Sequence, residues 1–161
     1  MALFQGLDRS RQALLQACLS CFILDYVARQ KQSSTHMNNF VLMQLAVPSP
    51  TVFAANSAWT GQKSLDDWVT SRVEALRVFQ RDEERALRRC ELDAAFFHIY
   101  GVERDDVDYI METFPIVKRK DIAAHGEYRT KRMILEIYDA MLEAEATGIP
   151  YASPFDKVHK Q

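Results

Sequence analysis

RRCELDAAFFHIYGVERDDVDYIMETFPIVKRKD, residues 88–121, decides the fold of this chain. Leu87, Cys90, Ala94 and Phe97 recur at helical spacing, and Phe96 and Tyr100 widen the apolar face they make. Gly101 follows the last apolar turn, where a left-handed residue closes a helix at little steric cost. Asp105, Asp106 and Asp108 crowd the start of a second helix, a position that favours carboxylates because the first N–H groups point outward there. Val107, Ile110, Met111 and Phe114 give that helix a buried side. Pro115 restricts its predecessor to extended geometry, so the chain is expected to leave as a basic loop through Lys118, Arg119 and Lys120. This stretch reads as a helical hairpin.

Working outward, Asp8 or Ser10 is placed to cap a helix over residues 10–32. Leu14, Leu15, Cys18, Phe22, Tyr26 and Val27 hold its spacing, and Cys21, Ile23 and Leu24 extend its apolar surface beyond one side, so it needs cover from several partners. Lys31 to Asn39, KQSSTHMNN, has no apolar repeat and reads as a loop. A short strand is expected near Phe40–Val47, ended by Pro48-Ser49-Pro50. In the connector 51–63, Phe53 and Trp59 are the residues able to pin it to the body. Ser64 and Asp67 form an acidic capping box for a helix running to about residue 81. Between Arg77 and Arg89, Asp82, Glu83 and Glu84 alternate with arginines at spacings suited to helix-surface pairs such as Glu84–Arg88 and Glu84–Arg89. Thr130 can cap a last helix carrying Ile134, Ile137, Tyr138 and Met141 on one side.

The fold class is therefore mainly α, a compact helical domain of about five helices with at most one or two short strands. Residues 1–50 form an apolar helix with its polar loop, 51–63 a connector, 64–148 a C-terminal helical domain and 149–161 a loose tail.

Composition narrows the function classes. The 161 residues are 48% hydrophobic, enough for a real core, and carry a formal net charge of −2. That balance argues against nonspecific nucleic-acid binding by bulk charge, so any DNA role needs local basic patches. Lys118, Arg119, Lys120, Arg129, Lys131 and Arg132 form one such cluster, able either to meet phosphates or to solubilise a loop beside Asp121 and Glu127. The sequence shows neither a membrane-spanning apolar run nor a secretory signal. Three cysteines in that setting indicate reduced thiols and a cytoplasmic location. Cys18 and Cys21 have CxxC spacing without a second pair, and core packing is the better reading than zinc or redox use. His98, among Phe96, Phe97 and Tyr100, reads as a hydrogen-bonded core residue.

Four stretches carry a resemblance. ELDAAFFHIYG (Glu91–Gly101), DYIMETFPIVKRKD (Asp108–Asp121) and GEYRTKRMILEIYDAM (Gly126–Met141) resemble the C-terminal end of adenine-specific DNA methyltransferases of type IIG-like restriction-modification and phage-defence systems. ILDYVARQKQSSTHMNNFVLMQLAVPSP (Ile23–Pro50) is similar to the end of that family's target-recognition region. There the family tends toward Gly-Gly-Thr-His-Leu-Asn, then Gln-Leu-Pro-Val and a proline pair. Here Ser33-Ser34 replace the glycines, Ala46 the first proline, and Pro48-Ser49-Pro50 the pair.

The resemblance implies a non-catalytic C-terminal portion of a DNA methyltransferase that supports target recognition. DNA and the remainder of the methyltransferase, or a partner subunit, are the partners it implies, with no membrane. Lys31, Ser34, Thr35, His36, Asn38 and Asn39 become candidates for DNA contact beside the basic cluster; their alternative role is to cap the apolar stretch that follows. The family's Asn/Asp-Pro-Pro-Tyr tetrapeptide, which holds a flipped base, does not occur, nor does its glycine-rich segment for S-adenosylmethionine. No catalytic or cofactor residue is therefore assigned, and S-adenosylmethionine is expected only in the full-length enzyme. The alternative is a free-standing helical interaction module working through the wide apolar surface of Leu14–Val27.

Overall fold

The computed structural model describes residues 6–31, 39–78 and 81–155. Among them are α1 (Arg9–Ser20), α2 (Phe22–Lys31), the single turns α3 (Asn39–Leu42) and α4 (Pro50–Ala54), α5 (Leu65–Arg77), α6 (Asp82–Ile99), α7 (Arg104–Glu112), α8 (Pro115–His125) and α9 (Arg129–Thr147). The fold is mainly helical, but seven helices have nine residues or more, rather than the expected total of about five. No helix of the described residues is long and apolar enough to cross a membrane.

Two local events account for the extra helices. The first long helix breaks at Cys21, whose backbone is extended (φ −81°, ψ 151°). There the Phe22 N–H, an orphan at the start of α2, donates to Asp93 Oδ1 of α6 at 2.9 Å. The second is α8, expected as a loop. Pro115 sits in its first turn, where a missing N–H has no cost and the fixed φ suits a helix. A strand near Phe40–Val47 is likewise absent: Asn39–Leu42 is a helical turn. Among the described residues the extended pairing is an isolated bridge, Asn56 to Ser64.

Ser64 caps α5 as expected, its Oγ accepting from Asp67 N at 3.1 Å and donating to the Asp67 carboxylate at 2.8 Å. Asp8 caps α1 through Arg11 N at 2.9 Å. Thr130 does not cap α9; its own N–H donates to Asp121 Oδ2 of α8 at 2.6 Å. Gly101 ends the α6 segment at φ +65°, the left-handed geometry its position calls for.

α6 runs through the centre. Every residue from Cys90 to Phe97 is buried, so no face of this stretch meets water. α9 packs along it, α2 and α5 cover other sides, α1 lies on α5, and α7 and α8 rest on α9. Phe96 and Phe97 are completely buried, as are Val107, Met111, Ile134 and Met141 from α7 and α9. The connector is pinned by the residues expected: Trp59 meets Trp68 edge-on at 5.0 Å and Phe53 meets Phe96 at 6.3 Å. Each such ring contributes about 1.5–3 kcal/mol by leaving water.

The segment 149–155, expected to be part of a loose tail, is docked. Ser153 is fully buried and Tyr151 OH donates to Glu91 Oε1 at 3.1 Å. Gly61 (φ +70°) lies so close to this segment that a Cβ there would sit 3.3 Å from Pro150 Cγ.

Candidate functional site

Two faces of α6 carry its charged side chains, and they do different things. On one face Glu91 is completely buried, its Oε2 accepting from Arg72 Nε at 2.9 Å and from Arg88 Nη1 at 3.2 Å. The Arg72 guanidinium also stacks 3.4 Å over the Trp68 ring, and Arg88 Nη1 donates to Ser153 Oγ at 3.3 Å. Two arginines, one carboxylate, a phenol and a hydroxyl thus join α5, α6 and the 149–155 segment. Arg88 turns inward and makes this network instead of the surface pair with Glu84 that its spacing suggested. The network is structural: its charged side chains, Arg72, Arg88 and Glu91, are closed to solvent.

The other face is open. Arg85, Arg89 and Asp93 follow one another at four-residue steps, a stripe on one side of the helix. They line a cleft of about 640 Å³ bounded by the α1–α2 break, α5, α8 and the start of α9. Apolar side chains such as Phe22, Leu76, Val117 and Met133 make its walls, and Arg129 and His125 enter from the α8–α9 side. Asp93 is 8% exposed. One of its oxygens is used by Phe22 N, and burial pushes the carboxyl up to about 7. Arg85, Arg89 and Arg129 make no ion pair with the described residues, whereas Arg77 at the rim is held by Glu74 at 2.8 Å. Asp82 and Asp121 also line the cleft, Asp121 already accepting from Thr130 N.

Cys21 and Cys90 reach the same cleft, and all three thiols are buried and free. Cys21 donates to Cys18 O at 2.9 Å. Tyr100 gives its proton to Ala46 O at 2.6 Å, so the Cys18 thiol, 3.3 Å from the phenol oxygen, is the donor there. Contact with Cys18 and burial push the Cys21 thiol up, and burial does the same to Cys90, which keeps both as neutral thiols. Among the described residues no group of His, Cys, Asp and Glu could hold a metal ion. His98 packs as expected: its Nε2 lies 3.0 Å from Tyr138 O, and its ring stacks on Tyr138 at 4.0 Å.

The basic cluster is split by the fold. Lys118 binds Glu112 at 2.7 Å, Lys131 binds Glu112 at 2.6 Å and Asp108 at 2.8 Å, and Arg132 is clamped by Glu127 and Glu136, each at 2.9 Å. Arg119 and Lys120 are exposed on α8, and Arg129 faces the cleft. Of the loop candidates, Lys31 ends α2 and Asn39 begins α3, both exposed; Ser34, Thr35, His36 and Asn38 lie outside the described residues. Of the cleft's charged residues, Arg129 is among the sequence candidates, whereas Arg85, Arg89 and Asp93 are not. The available signal is Asp93, a carboxylate inside the otherwise apolar run Leu92–Phe97.

Comparison with protein-family models, with characterised proteins and with solved structures finds no match to this chain.

Proposed function

We propose that this chain is the C-terminal, non-catalytic portion of an adenine-specific DNA methyltransferase of a restriction-modification system, bracing the target-recognition region while methyl transfer takes place elsewhere. One observation carries the reading. The three C-terminal stretches that resemble the family fold against one another: Glu91–Gly101 supplies the buried part of α6 and the turn after it, Asp108–Asp121 the end of α7 and most of α8, and Gly126–Met141 the turn before α9 and most of that helix. α9 contacts α6, α7 and α8, so the resemblance follows one packed unit rather than scattered surface words. In this reading S-adenosylmethionine binds the catalytic portion, and DNA-backbone contact falls to the members of the basic cluster that form no ion pair with the described residues, Arg119, Lys120 and Arg129.

A free-standing interaction module has less support. Leu14, Cys18, Ile23 and Leu24, the surface that would serve it, are buried within the chain itself.

The test is the coding locus together with a reconstitution. A methylase sequence bearing Asn/Asp-Pro-Pro-Tyr, in the same reading frame or an adjacent one, should methylate adenine in duplex DNA only when residues 82–147 are present. A locus with no such sequence, or a methylase indifferent to this segment, rejects the reading.

A further inference from the structure

The cleft along α6 has the features of a ligand site, and its arginines, Arg85, Arg89 and Arg129, form no ion pair with the described residues. At about 640 Å³ it is within the size range of small-molecule pockets, and like them it combines apolar walls with a few convergent polar groups. The polar groups are of two kinds at two depths. Arg85 and Arg89, one turn apart on α6, line it together with Arg129 from the start of α9; Arg85 Nη1 donates to Leu76 O at 3.4 Å, and none of the three forms an ion pair with the described residues. Guanidinium groups bind phosphate through forked, charge-assisted N–H bonds. Asp93 is the deeper group, 8% exposed, lining the cleft with one oxygen used by Phe22 N and its other oxygen without a hydrogen bond from the described residues.

These features exclude the simplest ligands. A bare phosphate would leave the apolar walls and Asp93 unused, and a dicarboxylate would bring no N–H donor to the open oxygen of Asp93. An organic cation would meet three arginines. What fits is a molecule with an anionic phosphate at one end, apolar surface for the walls, and N–H donors at the other.

We propose that this cleft binds a nucleoside monophosphate, with Arg85, Arg89 and Arg129 on the phosphate and Asp93 accepting from the base. The carboxylates of Asp82 and Asp121 also line the cleft; Asp121 is turned to the α9 N-terminus by Thr130 N, which draws its charge away from the phosphate. The inference does not depend on the methyltransferase reading, since a free nucleotide and a nucleotide within a DNA strand offer the same chemistry.

Titration calorimetry at low salt on the whole chain tests it, using adenosine, guanosine and cytidine monophosphates, inorganic phosphate, and a short single-stranded oligonucleotide as probes. The expected result is saturable mononucleotide binding with inorganic phosphate at least about tenfold weaker, and a loss of about tenfold or more on Arg89→Gln or Arg129→Gln. These arginines contribute nothing to the core, so the variants should melt as the wild type does. Asp93→Asn keeps an oxygen for Phe22 N and should change the ranking of the bases while leaving inorganic phosphate binding unchanged. Preference for the oligonucleotide, with the same dependence on Arg89, keeps the chemistry and assigns the phosphate to a strand. Absence of saturable binding by any nucleotide probe, equal binding of phosphate and nucleotides, or indifference to both arginine variants overturns the proposal.

Discussion

Replacing Glu91 by Gln is the sharpest perturbation of the fold. The side chain stays the same size, yet the carboxylate shared by Arg72 and Arg88 disappears from a place where the three side chains are 0%, 3% and 5% exposed. Water cannot screen the change at that depth. Breaking a buried ion pair by removing one partner costs about 3–5 kcal/mol, because the remaining charges keep their desolvation penalty. For a chain of this size, where each kcal/mol is about 2–4 °C, the melting temperature should fall by roughly 6–20 °C. With a urea slope of about 2 kcal/mol per molar, the midpoint should drop by roughly 1.5–2.5 M. Equilibrium urea unfolding followed by far-ultraviolet circular dichroism reads this directly. A companion variant, Arg72→Met, should couple to it: the double variant should lose less than the sum of the singles by about 0.5–3 kcal/mol. A loss below about 1 kcal/mol for Glu91→Gln, or strict additivity, would refute the network as the clamp between α5, α6 and the 149–155 segment.

Asp93 gives a pH signature of opposite sign to ordinary carboxylates. Its folded carboxyl is raised from 3.8 to about 7, so the folded state holds a proton that the unfolded chain releases, and the stability this adds is complete below 3.8 and lost as pH rises toward 7. The stability difference between wild type and Asp93→Asn should therefore fall across that window by up to about 4 kcal/mol, measured by urea unfolding at several pH values. A flat difference counts against the buried carboxyl. Glu74, Glu112 and Glu127, held low by hydrogen bonds to Arg9, Lys118 and Arg132, act in the other direction and cancel in that difference. Gly101→Ala should cost about 1–2 kcal/mol from backbone strain alone, since nothing lies within 4 Å of its Cβ position, whereas Gly61→Ala should cost more because the new carbon also crowds Pro150. Thermal melts that rank the two the other way contradict the docking of 149–155. On duplex DNA, removing Arg119, Lys120 or Arg129 should lower the salt slope of binding by about 0.9 per lost phosphate contact, and removing Lys118, Lys131 or Arg132 should lower it less. Equal slopes for the two sets would place the contact elsewhere.

The helical class and most caps were legible because they depend on residues close in sequence. Gly101, the Ser64–Asp67 box and the acidic start of α7 all act within a turn or two of where they stand. What escaped depends on distance. The break at Cys21 is held by Asp93, which accepts from Phe22 N 71 residues away, so no local signal marks it. α8 escapes for a different reason: Pro115 reads as a terminator of the helix before it, although the same ring is favourable in a first helical turn. The basic cluster looked continuous along the chain, but Glu112 from the preceding helix neutralises Lys118 and Lys131 once α7, α8 and α9 pack together. The cleft was hidden because its stripe, Arg85 to Asp93, has the spacing of an ordinary solvated helix face. The positions of α1, α2, α5, α8 and α9 turn that face into a wall.

The proposal that these helices support a methyltransferase whose chemistry lies elsewhere is tested most directly in the cell. Deleting the codons for residues 82–147 from the chromosomal locus and mapping adenine methylation across the genome should abolish a sequence-specific methylation pattern present in the parent strain. A pattern unchanged by the deletion, or no adenine methylation in the parent at all, would contradict it.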